Sequence, residues 1–188
     1  MKQGLLVSIV SPSGGGKTTV VNELVRQLPR TVRFVTSTTR APRQGETDGI
    51  DYHFLTKSEF VYKISQGELL EHVEFAGNYY GTDRAELEKM LLANDFVLAP
   101  IDVRGSVSLK AFPYRQIRIF LKPENLMVLE ARLARRPGMT PAELGGRLAY
   151  AEQEIAQASG FDAVVLNREG FLAETVAEVK ELLTQRVK

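Results

Sequence analysis

Cysteine is absent from the 188 residues, which excludes disulfides and cysteine-ligated zinc. Histidine is nearly absent. His53 and His72 are the two, and their spacing makes no metal site, so both are expected as structural or surface residues. Net charge is also missing: 24 Lys and Arg face 23 Asp and Glu, leaving a formal +1. Such a chain has no general attraction for a nucleic-acid backbone or an anionic membrane, and any anion binding must come from local arginine clusters. No apolar run reaches transmembrane length, and Ser8 and residues 11–16 interrupt the apolar stretch near the N-terminus, so no signal peptide is expected. The expectation is a cytoplasmic protein, monomer or homodimer, with no nucleic-acid or membrane partner. There is no repeat and no low-complexity tract.

What is present is enough apolar residue, 44% of the chain, to bury one sizeable core, so one domain with inserted subregions is expected. Apolar segments at Leu5–Val10 and at residues 32–35, 96–103, 117–121 and 163–166 alternate with helical patterns. This predicts an α/β fold with a mostly parallel sheet covered on both faces and ligands beyond the carboxyl ends of the strands. Leu172, Val176, Val179 and Leu183 form one stripe of a C-terminal helix and read as core packing. Between residues 36 and 94 the pattern changes to short strands around Tyr52, Val73 and Tyr79, with helices near residues 57–66 and 84–93. An inserted lobe is expected there.

After the first strand comes Ser11-Pro12-Ser13-Gly14-Gly15-Gly16-Lys17-Thr18-Thr19, and then Val21, Leu24, Val25 and Leu28 at helical spacing. In a strand–loop–helix setting the three glycines let backbone N–H groups curl around phosphate at a helix N-terminus, where dipole and unpaired donors favour an anion. Lys17 then reaches the outer phosphates and the Thr18 hydroxyl is suited to Mg²⁺. Ser11 stands where the first glycine of the phosphate-loop pattern belongs. A flexible glycine-rich linker is the bland alternative.

A second group of phosphate-seeking residues follows. Arg40 and Arg43 lie on either side of Pro42, which biases Ala41 toward extended backbone, so two guanidinium forks can be offered to one dianion, and Tyr52 can add a neutral donor. A solvated loop turning at Gly45 and Gly49 is the plain alternative. Farther on, Arg132 and Arg136 are four residues apart and are expected on one helical face, with Arg135 and Arg147 extending the cluster across a turn at residues 137–140.

The order of residues 36–82 closely resembles the acceptor-binding region of guanylate kinases. The likeness takes in STTRAPRQGE, DGIDYHF, the glutamate of LLEHVEF and GNYYGT, and it continues more weakly to the C-terminus; the PSGxGK core of the loop is similar too. The resemblance implies a P-loop nucleoside monophosphate kinase fold in one domain. Residues 1–35, 95–126 and 150–188 would form the core, residues 36–94 a GMP-binding lobe, and residues 127–149 a lid. It implies transfer of the γ-phosphoryl group of ATP to GMP, and to dGMP, with Mg²⁺. ATP would be held by Ser13, Gly14, Gly15, Gly16, Lys17, Thr18, Thr19, Arg132 and Asn167. GMP would be held by Thr36, Arg40, Arg43, Tyr52, Glu71, Tyr80, Thr82 and Asp102, with Glu71 on the Watson–Crick edge. Lys17, Arg43, Arg136 and Arg147 would be catalytic, and Thr18, with Asp102 through water, would serve the metal.

Three departures from the family pattern stand out. Pro100 occupies a position that usually carries an acidic residue two before the aspartate matched by Asp102, which removes an outer partner for Mg²⁺. Proline is also disfavoured in a central strand, so this strand is expected to end or bulge near Ala99. Gly146 replaces a basic residue, and Arg168 replaces an acidic residue after Asn167. The last two bear on donor affinity, and Pro100 is the main support for a second reading, a guanylate-kinase-like binding module weakened or silent in catalysis. A kinase of another acceptor on the same scaffold is a third.

Overall fold

The computed structural model describes residues 3–75, 77–136 and 138–187. In chain order the elements begin with β1 (Leu5–Val10), α1 (Lys17–Gln27), β2 (Thr31–Arg33), β3 (Ser37–Thr38), β4 (His53–Phe54), α2 (Lys57–Ser65), β5 (Leu69–Phe75) and β6 (Asn78–Asp83). They continue with α3 (Arg84–Ala93), β7 (Phe96–Ile101), α4 (Val103–Leu109), β8 (Gln116–Pro123), α5 (Leu126–Ala134), α6 (Pro141–Ala156), β9 (Ala163–Asn167) and α7 (Leu172–Val187), with a 3-10 turn at Ala158–Gly160 before β9.

The central sheet is parallel throughout, in the order β2-β7-β1-β8-β9. Every residue of β1 is buried, as expected of a strand covered on both faces. Side chains alternate between two cores. Leu5, Val7 and Ile9 pack with Val20, Val21 and Leu24 of α1 and Val176, Val179 and Leu183 of α7. Leu6 and Val10 pack on the opposite face with Leu87 and Leu91 of α3 and Val103 and Leu109 of α4. Full burial of one such side chain contributes about 1.5–3 kcal/mol. The C-terminal stripe is therefore core, as its spacing predicts.

Residues 36–94 build a second, four-stranded sheet in the order β4-β3-β6-β5. Phe60 of α2 is buried beneath it and stacks on Tyr79, with ring centroids 5.5 Å apart. Gly81 permits this closeness, because a Cβ there would lie 2.9 Å from the Phe60 ring and 3.0 Å from the Glu71 carbonyl oxygen. Phe60 thus packs directly against the strand pair that carries Glu71.

Two expectations are corrected. The strand carrying Pro100 neither ends nor bulges at Ala99; β7 runs through Ile101 with Ile9 paired to Pro100 and Val10 to Ile101. The reason is parity. Phe34 N–H donates to the Leu98 carbonyl, so Leu98 and Pro100 turn their backbone groups toward the β2 side, and β2 has ended at Arg33, opposite Leu98. Proline's missing N–H therefore lies on the side where the β2–β7 pairing has already ended, so no assigned ladder pair is lost. The second correction concerns α5, which ends at Ala134 with Arg135 as its C-cap. Arg136 lies past the helix, its N–H donating to the Leu133 carbonyl, and does not share a helical face with Arg132. Pro137, in the expected turn, lies outside the described residues. Among the described residues no helix is long and apolar enough to cross a membrane.

Because no ladder bond awaits residue 100, Pro100→Ala is expected to lower stability by about 0.4–1 kcal/mol, through a freer unfolded chain. Urea unfolding measures this, and a gain above that size would mean that the proline does obstruct the sheet.

Candidate active site in the cleft between sheet and lobe

Helix α1 begins differently from the helices around it. Helices α2 and α6 have Thr56–Glu59 and Thr140–Glu143 capping boxes, and α3, α4 and α5 are capped by Asp83, Asp102 and Asn125. Helix α1 starts from Gly16 at φ 91°, with no side-chain cap and no acidic residue in its first turn. Its dipole and free N–H groups face the loop, which makes a ready anion site. Ser11 fits this loop because residue 15 is glycine: a Cβ at Gly15 would fall 1.6 Å from the Ser11 hydroxyl oxygen. Lys17 donates to the Ser11 carbonyl. Ser13, Gly14, Gly15, Gly16, Lys17, Thr18 and Thr19 border one cavity together with Arg132 and Arg136.

Asn167 stands behind this loop. Its amide donates to the Gly15 carbonyl at 2.8 Å and its oxygen accepts from Thr175, so the buried side chain braces the loop while touching the adjoining hollow. Arg132 donates to the Gly14 carbonyl at 3.2 Å and is held by Glu169. Glu169 was not singled out from sequence. It follows Arg168 by one position and supplies a carboxylate where the expected acid is missing.

On the lobe side, Thr36, Arg40, Arg43, Tyr52, Glu71, Tyr80 and Asp102 line a second cavity that also reaches Lys17 and Arg147. Arg40 pairs with Glu46 at 2.9 Å, and its guanidinium carbon lies 5.4 Å from the centre of the Tyr52 ring. Glu46 also accepts from the Arg43 backbone N–H at 2.7 Å, which fixes both arginines in one turn. Burial raises the Tyr52 phenol above its ordinary range, so it is a neutral donor. Tyr80 meets the Tyr52 ring edge-on at 6.1 Å.

Glu71 is 8% exposed. One oxygen accepts from the buried Thr82 hydroxyl at 2.6 Å, and the other, Oε2, is buried without a partner. Thr82 thus stands behind the glutamate and orients it. Asp102 divides its work: Oδ1 accepts from Gly105 N–H at 2.7 Å to cap α4, while the residue borders the cavity. Gly105 leaves room there, since a Cβ would sit 3.4 Å from both Asp102 Oδ1 and Glu71 Oε2. A buried, unpaired carboxylate oxygen on a residue that borders a cavity suits a ligand with N–H donors.

Arg43, Arg136 and Arg147 gather where the cavities adjoin. Arg136 donates to Ser13 Oγ at 3.2 Å, and its pKa is held below the ordinary range first by burial and then by Arg43, Arg147 and Arg40. Arg43, Arg136 and Arg147 line a common hollow with Thr18. The sequence reading also missed Glu154 of α6, which is 4% exposed and raised to about 7, chiefly by burial, with Lys17 and Asp102 within electrostatic reach. Its signal was available: Arg147, Tyr150 and Glu154 recur at three and four residues on one helical face. His53 lies 3.3 Å from Glu86, His72 is exposed, and among the described residues no group of three or more His, Asp or Glu could hold a metal.

The sequence matches the guanylate kinase family over residues 3–186. A guanylate kinase of Synechocystis sp. is 42% identical over 88% of this chain and 86% of its own length. One of Desulfitobacterium hafniense is 38% identical over 96% and 89%. The crystal structure of guanylate kinase from Anaplasma phagocytophilum superposes with a TM-score of 0.80 at 29% identity, covering 100% of this chain and 89% of that one. A shikimate kinase from Bacteroides thetaiotaomicron, at 14% identity and a TM-score of 0.50 over 96% and 98%, shares the fold alone.

Burial lifts Glu71 from 4.5 to about 7, against the smaller downward pull of Thr82. The folded protein therefore holds this proton more tightly than the unfolded chain. The resulting stability is complete below about pH 4.5 and is lost as pH rises through about 7. Glu71→Gln keeps an acceptor for Thr82 and removes the charge. It is expected to stabilise the nucleotide-free protein on the order of 2 kcal/mol at pH 8, a few degrees in Tm, and to match the parent near pH 4.5. Thermal melts at the two pH values decide; a deficit at pH 8 would overturn the assignment.

Proposed function

Because the chain belongs to the guanylate kinase family, we propose that its cleft transfers the γ-phosphoryl group of ATP to GMP, giving ADP and GDP. The chain is a nucleoside monophosphate kinase, a transferase on a P-loop kinase fold. The observation that carries the reading is the meeting of Arg43, Arg136 and Arg147 between an uncapped helix start and a cavity with an orphaned Glu71 oxygen.

On this reading the α1 start and Lys17 hold the donor phosphates, with Ser13, Thr19 and the Glu169-held Arg132 around them, and Asn167 bracing the loop. Arg40, Arg43, Tyr52 and Tyr80 hold the acceptor phosphate. An oxygen of that phosphate bonds to the γ-phosphorus as the bond to the β,γ-bridging oxygen breaks, and the bridging electrons leave with ADP. The transition state is loose and its charge spreads over equatorial oxygens, so Arg43, Arg136 and Arg147 act by matching that charge. No strong base is needed, because the attacking group is already an anion. Glu71, oriented by Thr82, accepts from guanine N1–H and the 2-amino group, with Thr36 and Asp102 beside it. Adenine lacks both donors. Nothing in this set reads the 2′-hydroxyl, so dGMP is an acceptor as well.

Mg²⁺ fits the residues present. Thr18 is exposed at the first turn of α1 beside the phosphate loop, and a phosphate-bound Mg²⁺ needs only one or two protein oxygens, so a dedicated cluster of acids is not required. Thr18, with Asp102 through water, would hold it, and the ion would supply charge neutralisation on the phosphates.

The working division is a core of residues 1–35, 95–126 and 150–188, a GMP lobe of 36–94 and a lid of 127–149. The proposed setting is the cytoplasm, with ATP and GMP as partners and a monomer or homodimer as the unit. A catalytically silent module is not favoured, because Pro100 leaves the strand intact, Lys17, Arg43 and Arg136 border one cavity, and Arg147 joins the two arginines in the hollow beside it.

Purified protein with ATP, Mg²⁺ and each nucleoside monophosphate is expected to form ADP with GMP and dGMP, and far less with AMP. Lys17→Ala should lower kcat by about 10²–10³-fold. Glu71→Ala should chiefly erode a GMP-over-AMP preference of up to about 10⁴-fold. No GMP-dependent ADP from the parent would sink the proposal, and an unchanged preference in Glu71→Ala would sink the base assignment.

A further inference from the structure

Helix α6 turns Arg147, Tyr150 and Glu154 toward the acceptor cavity, and the mechanism above leaves Tyr150 without a task. Its half-buried ring lies 5.1 Å from that of Phe75, at 42°, and the Arg104 guanidinium carbon lies 5.6 Å from its centre. Phe75 ends β5, four residues beyond Glu71, and Arg104 also donates to the neighbouring Glu74 carbonyl at 3.4 Å. Three separate elements, β5 of the lobe, α4 of the core and α6 leading from the lid, therefore meet at this one ring.

We propose that Tyr150 is a positioning residue for the acceptor: with Phe75 it walls the base pocket and holds α6 so that Arg147 faces the acceptor phosphate. The inference rests on the GMP reading and adds to it. A purine has a polar edge and two apolar faces. Glu71, Thr36 and Asp102 serve the edge, whereas the faces need apolar or aromatic surface; Tyr52 and Tyr80 are given to the acceptor phosphate, and Val73, Phe75, Pro100, Ile101 and Tyr150 are the rest of that surface in the cavity. Of these, Tyr150 is the one carried by the helix that bears Arg147, one turn away. A base in the pocket gains contact with Tyr150, and that contact steadies the helix. Binding energy from the unreacting base is thereby used to place a cation at the reacting phosphate.

Kinetics and GMP calorimetry on Tyr150→Ala, Tyr150→Leu and Tyr150→Phe test this. Tyr150→Ala is expected to raise the GMP Kd and KM about tenfold and to lower kcat by a similar factor, leaving the ATP KM within about twofold. Tyr150→Phe should recover most of the loss, and Tyr150→Leu, which keeps apolar bulk if the alanine variant folds poorly, should fall between. Because the rings touch, Tyr150→Ala combined with Phe75→Ala should lose less than the product of the single losses. Equal damage to ATP and GMP constants, no recovery in Tyr150→Phe, or unchanged GMP binding in Tyr150→Ala would each overturn the proposal. Calorimetry without ATP keeps this test separate, since a parent protein that binds GMP without turnover refutes the kinase reading and leaves the ring comparison intact.

Discussion

Mutual repulsion among guanidinium groups is the constraint around which this cleft is organised. Arg136 sits half out of water with Arg43, Arg147 and Arg40 acting against its charge, and Glu46 alone among its named neighbours acts the other way. Such a cluster is costly until anions come between its members. The proposed substrates bring those anions, one phosphate chain to the uncapped start of α1 and one phosphate to the Arg40–Arg43 turn. On the proposed function, closure before both are bound would gather cations with too little to neutralise them, which would disfavour ATP hydrolysis without the acceptor.

The carboxylates are arranged as the complement of this. Glu46 and Glu169 are spent on arginines, holding Arg40 and Arg132 in place from the rim. Glu71 and Glu154 are buried in the cleft itself, and both are lifted to about 7. A buried acid with an unpaired oxygen is costly in the empty protein and becomes useful once a donor arrives. The proposed base selection and the loss of stability expected of the empty pocket at alkaline pH would thus both follow from the same burial.

Much of this was legible from the chain. The glycine loop between an apolar strand and a helical stripe, the paired arginines around Pro42, and the C-terminal stripe are short-range patterns, and short-range patterns translate directly into local structure. Pro100 and Arg136 are the instructive exceptions. A proline in a central strand is forbidden only if its N–H faces a partner, and that depends on where β2 stops. A spacing of four places two arginines on one face only if the helix lasts that long, and α5 ends at Ala134. Glu169 escaped notice because it matters through Arg132, distant in sequence, whereas Glu154 and Tyr150 carry a local signal, the helical spacing with Arg147, whose meaning depends on what α6 packs against.

What the sequence determined alone was the chemistry on offer: a phosphate loop, a supply of arginines, a glutamate in register with GNYYGT, and the absence of thiols and of excess charge. These follow from residue identity and local backbone preference. Tertiary structure decided which oxygen of Glu71 is left unpaired, that Thr82 stands behind it, that Asn167 braces the loop, and that an aromatic ring on α6 meets Phe75 of the second sheet. Those are matters of which groups compete for the same buried space, and that competition arises only when strands and helices far apart in the chain are packed together.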